Sequence, residues 1–281
     1  MSVVTLTTDF GLADGYVGIM HGVIHAICPG VAIVDLTHQV PPQDVREAAY
    51  LLYAAYSYFA PNTVHCVVVD PGVGTERRAV GVQTPQGSFI APDNGVLSYI
   101  LAHEPVLASV SLTNPRYHLS HMSYTFHGRD LFAPAAAHLA GGVPLAELGE
   151  PISGLVSFSV PGVSVLNQNS LRGQVIHVDH FGNLVTGIGR LAREGENLSF
   201  TPPGFQHPFS FSAGKAQVRI GGRQIVSLQM TYGAVQPGEL LALIGSAGHL
   251  EVAVAGGNAA ETLGIGVGAE VILEVKNDGL S

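Results

Sequence analysis

Charged side chains are scarce in this sequence, whose 281 residues contain 12 Lys and Arg and 21 Asp and Glu. The formal net charge of −9 argues against a nucleic-acid partner, because phosphate binding needs a stripe of basic residues. Charged residues make up 12% of the chain and apolar residues 47%, whereas a typical soluble domain is about 25% charged. We therefore expect other subunits to cover part of the surface.

Cysteines and long apolar runs are also few. The two cysteines, Cys28 and Cys66, have neither a metal-type spacing nor the number needed for a disulfide framework, so we predict buried, reduced thiols. No apolar stretch is long enough for a transmembrane helix, which excludes a membrane partner of that kind. The first residues resemble a strand and lack the basic region of a signal peptide, so a cytoplasmic location is expected.

Strands and helices alternate through the first half of the chain. This order predicts an α/β domain over residues 1–158, with a largely parallel sheet flanked by helices. The predicted strands are 3–7, 31–36, 64–69, 79–84 and 87–91, and the predicted helices are 15–28, 43–58, 95–103 and 128–140.

The pattern changes in the second half. Residues 159–172 carry Pro, Gly, Ser and Asn, which is typical of a linker between domains. Short alternating runs separated by glycines follow, and they predict a smaller all-β domain, a barrel or a sandwich, over residues 173–281. The predicted strands are 173–178, 216–220, 239–244, 249–254 and 269–275.

The loop after the third predicted strand is the strongest candidate site in the sequence. The apolar run ends at Asp70, and Arg77 and Arg78 follow within eight residues. In open α/β sheets, ligands bind outside the carboxyl ends of the strands, where this loop lies. A structural ion pair between Asp70 and Arg77 is the alternative that the residues leave open.

Other polar residues lie at predicted strand ends and turns. Asp9 follows the first strand and is suited either to a helix cap or to accepting the hydroxyls of a ribose. His127 precedes the last helix of this half and is either an ordinary loop histidine or a site residue. In the second half, Asp179 and Asn183 flank a turn that they could simply shape, and Ser246 lies in a glycine-flanked turn.

Several familiar motifs are incomplete. His21 and His25 have the i, i+4 spacing of a zinc protease helix but lack its glutamate. His177, Asp179 and His180 do not converge easily, since adjacent strand residues point to opposite faces. The loop after Asp70 lacks the Gly-Lys-Ser/Thr end of a phosphate-binding loop. We therefore predict no metal site and no nucleoside triphosphate.

Seven motifs together resemble a known enzyme family. The motifs are TLTTDFG (5–11), DLTH (35–38), VVDPGVGTERR (68–78), APDNG (91–95), TFHGRD (125–130), DHFGN (179–183) and GSAGHLEVAV with GNAAE (245–261). In this order they resemble the S-adenosylmethionine (SAM) hydroxide adenosyltransferases. These SAM hydrolases are relatives of the fluorinating and chlorinating enzymes that attack the same carbon.

The resemblance implies a fold, an assembly and a reaction. It implies an N-terminal α/β domain, a C-terminal β-barrel and a homotrimer with sites between subunits. The implied reaction is SAM plus water giving adenosine and methionine, with SAM as substrate and no cofactor. A carboxylate would accept the proton of the water while a guanidinium favours the hydroxide-like charge.

The resemblance also implies residue roles. Asp70, Arg77 and His127 would position and polarise the water. The substrate-binding residues in the first half would be Asp9, which accepts the ribose hydroxyls, Val73 and Gly128. Those in the second half would be Asp179 for the methionine ammonium, Ser246 for its carboxylate, Asn183 and the backbone near Ala259 for the adenine edge, and Phe181 and Tyr232 for the adenine face.

Departures from the halogenating relatives favour water as the nucleophile. Those enzymes carry tyrosine where this chain has Asp70, and Ser-Arg where it has Ser246-Ala247. A tryptophan of the fluorinase pocket corresponds to Gln43. Two alternatives remain open at this point. One is a SAM- or adenosine-binding module without turnover, and the other is a metal-dependent hydrolase.

Overall fold

A computed structural model describes residues 2–201 and 208–276. The chain folds into two compact units, Met1–Val160 and Pro161–Ser281. Within the described ranges, no helix combines the length and the apolar content needed to cross a membrane.

The first unit is built from strands and helices in alternation. A 3₁₀ turn, Tyr56–Tyr58, extends the helix Val45–Ala55, and a π-helical turn, Gly128–Phe132, precedes the helix Ala133–Ala140. The strands are β1 (Val3–Thr8), β2 (Ala32–Thr37), β3 (Val64–Val68), β4 (Ala79–Thr84), β5 (Gly87–Pro92), β6 (Ala108–Ser111) and β7 (Glu150–Pro151), and the α-helices are α1 (Tyr16–Ile27), α2 (Val45–Ala55), α3 (Ser98–His103) and α4 (Ala133–Ala140).

The sheet of this unit is mixed, so the prediction of a largely parallel sheet is wrong. The strand order is β2-β1-β3-β5-β4-β6-β7. The pairs β1–β2, β1–β3 and β3–β5 are parallel, whereas β4–β5, β4–β6 and β6–β7 are antiparallel. Thr84 pairs with Gly87 in a tight hairpin, and a connection this short forces β4 and β5 to run antiparallel. The prediction of an α/β domain is confirmed.

The core of the first unit explains why α1 and β1 form where they do. Val4 and Leu6 of β1 pack with Met20 and Ile24 of α1, and all four side chains are fully buried. Cys66 on β3 is also fully buried, and burial raises the pKa of its thiol to about 12. Cys28 is only half-buried, so the prediction of a buried thiol is confirmed for Cys66 alone.

The second unit is almost entirely β-structure. Among its described residues, only α5 (Ala259–Leu263) is α-helical. The strands are β8 (Ser164–Asn167), β9 (Ser170–Val178), β10 (Leu184–Thr186), β11 (Ala192–Glu194), β12 (Asn197–Phe200), β13 (Phe209–Ser212), β14 (Ala216–Ile220), β15 (Arg223–Val226), β16 (Leu240–Ile244), β17 (Leu250–Val254) and β18 (Glu270–Val275).

The main sheet of the second unit is antiparallel and nearly closed. Its order is β15-β14-β18-β9-β10-β17-β16, with β8 beside β9. After β15, the backbone N–H of Gln229 donates to the carbonyl of Ala242 on β16 (2.8 Å), which brings the two ends of the sheet together. Strands β11, β12 and β13 form a separate small sheet. The predicted linker over 159–172 contains β8 and the first residues of β9.

Candidate active site

Two carboxylates lie at the same edge of the mixed sheet. Strands β1 and β3 are parallel neighbours, and Thr8 is in register with Val68. Asp9 therefore leaves the end of β1 close to where Asp70 leaves the end of β3. This is the edge at which α/β sheets bind ligands.

Asp70 and Arg77 form a buried, forked ion pair. Arg77 Nε donates to both carboxylate oxygens of Asp70, at 3.0 Å and 2.9 Å, and Nη2 donates to Oδ2. The side chain of Arg77 is only 11% exposed and that of Asp70 only 5%. A planar guanidinium held in this way by a carboxylate has little freedom to turn. The positive charge of Arg77 is therefore fixed in direction.

His127 completes a chain of three contacting side chains. Arg77 Nη2 donates to His127 Nδ1 at 2.8 Å. Since arginine has only donors, Nδ1 is the acceptor and the ring hydrogen is assigned to Nε2. Burial, followed by the charge of Arg77, lowers the pKa of His127 below its usual value of 6.5. The imidazole is therefore neutral at neutral pH.

The loop between Asp70 and Arg77 is shaped by its glycines and by one threonine. Gly74 has a φ of +78°, and a Cβ at this position would lie 2.5 Å from the carbonyl oxygen of Tyr124. Glycine therefore allows the loop to pack directly on the segment that leads to His127. The Thr75 hydroxyl donates to the Gly72 carbonyl at 2.6 Å and closes the turn. Val73 lies half-exposed in this loop.

Arg78, the neighbour of Arg77, has a structural role instead. Its Nε donates to Asp93 Oδ2 at 2.8 Å, and its Nη2 donates to the carbonyl of Gly154 at 2.7 Å. Asp93 Oδ1 in turn accepts the backbone N–H of Val156 at 2.8 Å. These bonds tie the end of the first unit to the β4–β5 region. The two adjacent arginines thus serve different purposes.

Asp9 and Gly128 lie beside this cluster. Asp9 Oδ2 accepts the backbone N–H of Gln43 at 2.8 Å, and Gln43 adopts a φ of 66°. Gly128 is buried, and a Cβ there would lie 3.1 Å from the Phe126 ring and 3.2 Å from the Phe10 ring. Phe10 follows Asp9 directly, so the aromatic rings connect the Asp9 loop to the His127 segment.

Asp130 is a supporting residue to which the sequence analysis gave no role of its own. It is fully buried, accepts the backbone N–H of Ser123 at 2.8 Å and is held by Arg129 Nε at 2.6 Å. Burial alone would raise the pKa of Asp130, but these bonds outweigh it and lower the value. An ionised Asp130 therefore anchors the loop that presents His127. The sequence signals for it were its place in the TFHGRD motif and the adjacent Arg129.

In the second unit, Asp179 organises the loop between β9 and β10. Its Oδ1 accepts the backbone N–H groups of Phe181 and Asn183, at 2.9 Å and 2.8 Å, and its Oδ2 accepts Asn183 Nδ2 at 2.8 Å. The carbonyl of Gly182 accepts the backbone N–H of Ala260 at 3.0 Å. This bond places the loop beside the start of α5, where Ala259 is fully buried.

Tyr232 contacts the carboxyl group of Glu251, a residue to which the sequence motifs gave no role. Its hydroxyl donates to Glu251 Oε2 at 2.8 Å, and Glu251 is only 8% exposed. Burial, with a further contribution from Asp179, raises the pKa of Glu251. Burial and the bond to Glu251 raise the pKa of Tyr232. Asp179, Tyr232 and Glu251 therefore belong to one cluster of interacting acidic side chains.

The remaining predicted residues of this unit are open to solvent. Phe181 is 72% exposed and Tyr232 is 45% exposed, so both rings offer faces to a ligand. Ser246 is exposed in the turn between β16 and β17. Gly245 lies against the Glu251 carboxylate, which leaves no room for a side chain there. That contact links the Ser246 turn to the Tyr232 and Glu251 pair.

The predicted residues thus form two sets, one in each unit. In the first unit, Asp70, Arg77 and His127 are in direct contact. The flanking residues of this set are Asp9, Val73 and Gly128. The second set consists of Asp179, Phe181, Asn183, Tyr232, Ser246 and Ala259, together with the unpredicted Glu251. Among the described residues, one further group, His21, Asp35 and His38, has atoms placed as metal ligands would be.

The sequence is similar over most of its length to named enzymes. The (R)-S-adenosyl-L-methionine hydrolase of Salinispora tropica is 42% identical over 265 residues, which cover 93% of this chain and 94% of that protein. The enzyme of the same name from Thermus thermophilus is 38% identical over 280 residues, which cover 97% of this chain and 100% of that protein.

A solved structure and two family models agree with these similarities. The crystal structure of an uncharacterized conserved protein from Thermotoga maritima matches with a TM-score of 0.82 and 34% identity, covering 97% of this chain and 99% of that chain. The model of the SAM hydroxide adenosyltransferase N-terminal domain matches residues 4–149, and that of the C-terminal domain matches residues 173–272. The resemblance seen in the motifs is confirmed, and the chain belongs to the SAM hydroxide adenosyltransferase family.

Proposed function

We propose that this protein hydrolyses S-adenosyl-L-methionine to adenosine and L-methionine. The observation that carries the proposal is the contact chain Asp70–Arg77–His127 at the ligand-binding edge of the mixed sheet. The family membership and the relatives named (R)-S-adenosyl-L-methionine hydrolase supply the substrate.

The reaction is a single displacement at a carbon. The oxygen of a water molecule bonds to C5′ of the adenosyl group, and the C5′–S bond breaks. Its electron pair goes to sulfur, which becomes the neutral thioether of methionine. The proton of the water is released to a base. A sulfonium is a good leaving group, so holding the oxygen in line with the carbon supplies much of the catalysis.

The three contacting side chains divide the work. Asp70 is the acceptor of the water proton, and Arg77 stabilises the hydroxide-like charge that develops on the oxygen. Asp70 also fixes the direction of the guanidinium through the forked pair. Neutral His127 accepts from Arg77 and keeps its other ring nitrogen as a donor toward the reacting oxygen.

The flanking residues of the first unit bind the adenosyl group. Asp9 accepts the ribose hydroxyls, because a carboxylate can receive two neighbouring donors. One of its oxygens already receives the backbone N–H of Gln43, which holds the carboxylate in place. Val73 lies in the loop that carries Asp70 and Arg77, and Gly128 follows His127. Both contribute the wall of the pocket beside the reacting carbon.

The second set binds the methionine part and the base. Asp179 receives the ammonium group, because its carboxylate oxygens accept N–H donors. Ser246 donates to the carboxylate of the methionine. The adenine contacts are Asn183 and the backbone near Ala259 at its edge, and the exposed rings of Phe181 and Tyr232 on its face.

We further propose that the enzyme is a homotrimer, needs no cofactor and acts in the cytoplasm. In the trimer, each site would take residues from two subunits, as the resemblance implies. A charged content of only 12% supports extensive subunit contacts. Sedimentation of the purified protein would test the assembly. A monomer that retained full activity would contradict it.

The activity is tested by incubating the purified protein with SAM and separating the products by chromatography. We expect adenosine and methionine in equal amounts, with turnover that persists in the presence of EDTA. Binding of SAM without release of adenosine would instead establish a binding module. Loss of turnover with EDTA would favour a metal-dependent hydrolase.

A further inference from the structure

Two imidazoles and one carboxylate converge outside the proposed catalytic set. His21 lies on α1, Asp35 lies on β2 and His38 follows the end of β2. The Nε2 atoms of His21 and His38 lie 2.9 Å and 3.0 Å from the same atom, Asp35 Oδ1. The ligand atoms of all three residues lie within 4.8 Å of one another.

His38 gives an independent indication that this cluster receives a ligand. Its side chain is only 3% exposed, and its Nδ1 is fixed by Thr8 Oγ1 at 2.9 Å. Its Nε2 is buried and, among the described residues, has no aligned hydrogen-bond partner, although Asp35 Oδ1 is near. A buried polar atom without a hydrogen bond is costly. A cation held between His21, Asp35 and His38 would give this buried nitrogen a partner.

Two separations within the cluster match the spacing of metal ligands. Bonds from nitrogen or oxygen to a divalent transition-metal ion are about 2.0–2.2 Å long, so adjacent ligand atoms lie roughly 3 Å apart. The separations of His21 Nε2 and His38 Nε2 from Asp35 Oδ1 have this length, and the first is a hydrogen bond that a bound ion would replace. The Thr8 bond is also of the kind that orients a metal-binding histidine through its other ring nitrogen.

The cluster is accessible from solvent on one side. The side chains of His21 and Asp35 are 31% and 39% exposed, whereas that of His38 is buried. An ion could therefore enter past His21 and keep water on its open positions. Two imidazoles and one carboxylate favour zinc and its first-row neighbours over Mg²⁺ and Ca²⁺, which prefer oxygen ligands.

We propose that His21, Asp35 and His38 bind a divalent transition-metal ion that joins α1 to the end of β2. The ion has a structural role and takes no part in the hydrolysis. Its effect reaches the neighbouring loop, because the backbone N–H of Gly11 donates to the His38 carbonyl at 2.7 Å. This proposal departs from the expectation, drawn from the sequence, of a chain without a metal site.

Binding is measured on the purified full-length protein after treatment with a chelator and its removal. Co²⁺ serves as a spectroscopic probe, and calorimetry with Zn²⁺ gives the affinity and stoichiometry. Asp35→Asn and His21→Gln should each weaken Zn²⁺ binding at least about tenfold. The matched control is His25→Gln, which removes an exposed histidine one turn along α1 and should leave the affinity unchanged.

Thermal unfolding provides a second readout that is independent of turnover. Zn²⁺ should raise the Tm of the wild type and of His25→Gln, because an ion that binds only the folded state stabilises it. It should not raise the Tm of Asp35→Asn. Circular dichroism checks that the variants are folded. Equal affinity in all four proteins, or no saturable binding to the wild type, would overturn the proposal without affecting the proposed hydrolysis.

Discussion

The polar sets of the two units differ in their charge. In the first unit, the carboxylate of Asp70 is neutralised by Arg77, and the pair is buried. In the second unit, two carboxyl groups interact without an arginine between them among the described residues, and burial, followed by the charge of Asp179, raises the pKa of Glu251. The balanced set is suited to moving a proton and holding an anionic oxygen. The negative set is suited to holding a cation.

The two sets also differ in how tightly the fold holds them. The first is fixed by a forked ion pair and by a glycine loop packed on Tyr124. The second presents two exposed aromatic rings, Phe181 in the connection after β9 and Tyr232 in the connection after β15. A fixed set favours catalysis, whereas exposed faces favour ligand contact. We therefore expect substitutions in the first set to change kcat and substitutions in the second to change KM.

The largest effect is expected at Asp70. Asp70→Asn keeps the size of the side chain but removes the proton acceptor and the charge that orients Arg77. We expect kcat to fall about a hundredfold to ten-thousandfold, with the Kd for adenosine within threefold of the wild type (roughly the error of such assays). Steady-state kinetics and calorimetry measure both. The control Asp44→Asn exchanges one good helix N-cap for another and should change neither. An unchanged kcat in Asp70→Asn would remove this residue from the mechanism.

The adjacent arginines offer an internal control. Arg77→Lys keeps the charge but loses the forked contact, so kcat should fall about tenfold to a hundredfold. Arg78→Lys should leave kcat unchanged and lower the Tm, because it loses bonds to Asp93 and Gly154. Kinetics and thermal unfolding of both variants separate the two roles. Equal losses of kcat in the two variants would show that Arg77 and Arg78 do not differ in role.

The second set should respond in KM. Asp179→Asn removes the charge that would receive the methionine ammonium, so KM for SAM should rise about tenfold with kcat nearly unchanged. Glu270→Gln, an exposed substitution on β18 of the same unit, is the matched control and should leave KM unaltered. If kcat of Asp179→Asn fell as far as that of Asp70→Asn, the proposal that the first set acts on kcat and the second on KM would be wrong.

A further prediction concerns stability and pH in the first unit. Burial lowers the pKa of His65 from 6.5 to about 4, so the unfolded chain binds more protons than the folded one between these values. The free energy of unfolding should therefore fall as the pH drops from 6.5 to 4, by about 3 kcal/mol from this residue. Denaturant unfolding across this range measures it. His65→Phe should have a shallower slope, and an identical slope would contradict the assignment.

The sequence predicts the first unit best where a local pattern and the tertiary structure agree. The apolar run of β3 ending at Asp70 is visible in the sequence, and so is the arginine pair behind it. To predict the relative direction of β4 and β5, one must recognise that a two-residue turn permits only an antiparallel pair. The helix predicted over 128–140 begins with the π-helical turn Gly128–Phe132, which the sequence pattern does not distinguish from an α-helix, and Gly128 there packs on Phe10 and Phe126.

Residues that only the tertiary structure brings together are harder to predict. Glu251 looks like the exposed position of an alternating strand, but Gly245 and Tyr232 enclose its carboxyl group. His21 and His38 come from a helix and a strand end that only the folded sheet places together. In both cases the informative contact joins distant segments, so no local spacing could reveal it.

The most direct test of the central claim follows the oxygen atom of the nucleophile. The purified enzyme is incubated with SAM in water enriched in a heavy oxygen isotope, and the adenosine is analysed by mass spectrometry. Displacement at C5′ by water predicts one heavy oxygen in adenosine, on the 5′-hydroxyl, and none in methionine. Adenosine without the label, or products cleaved elsewhere than at the C5′–S bond, would contradict the account.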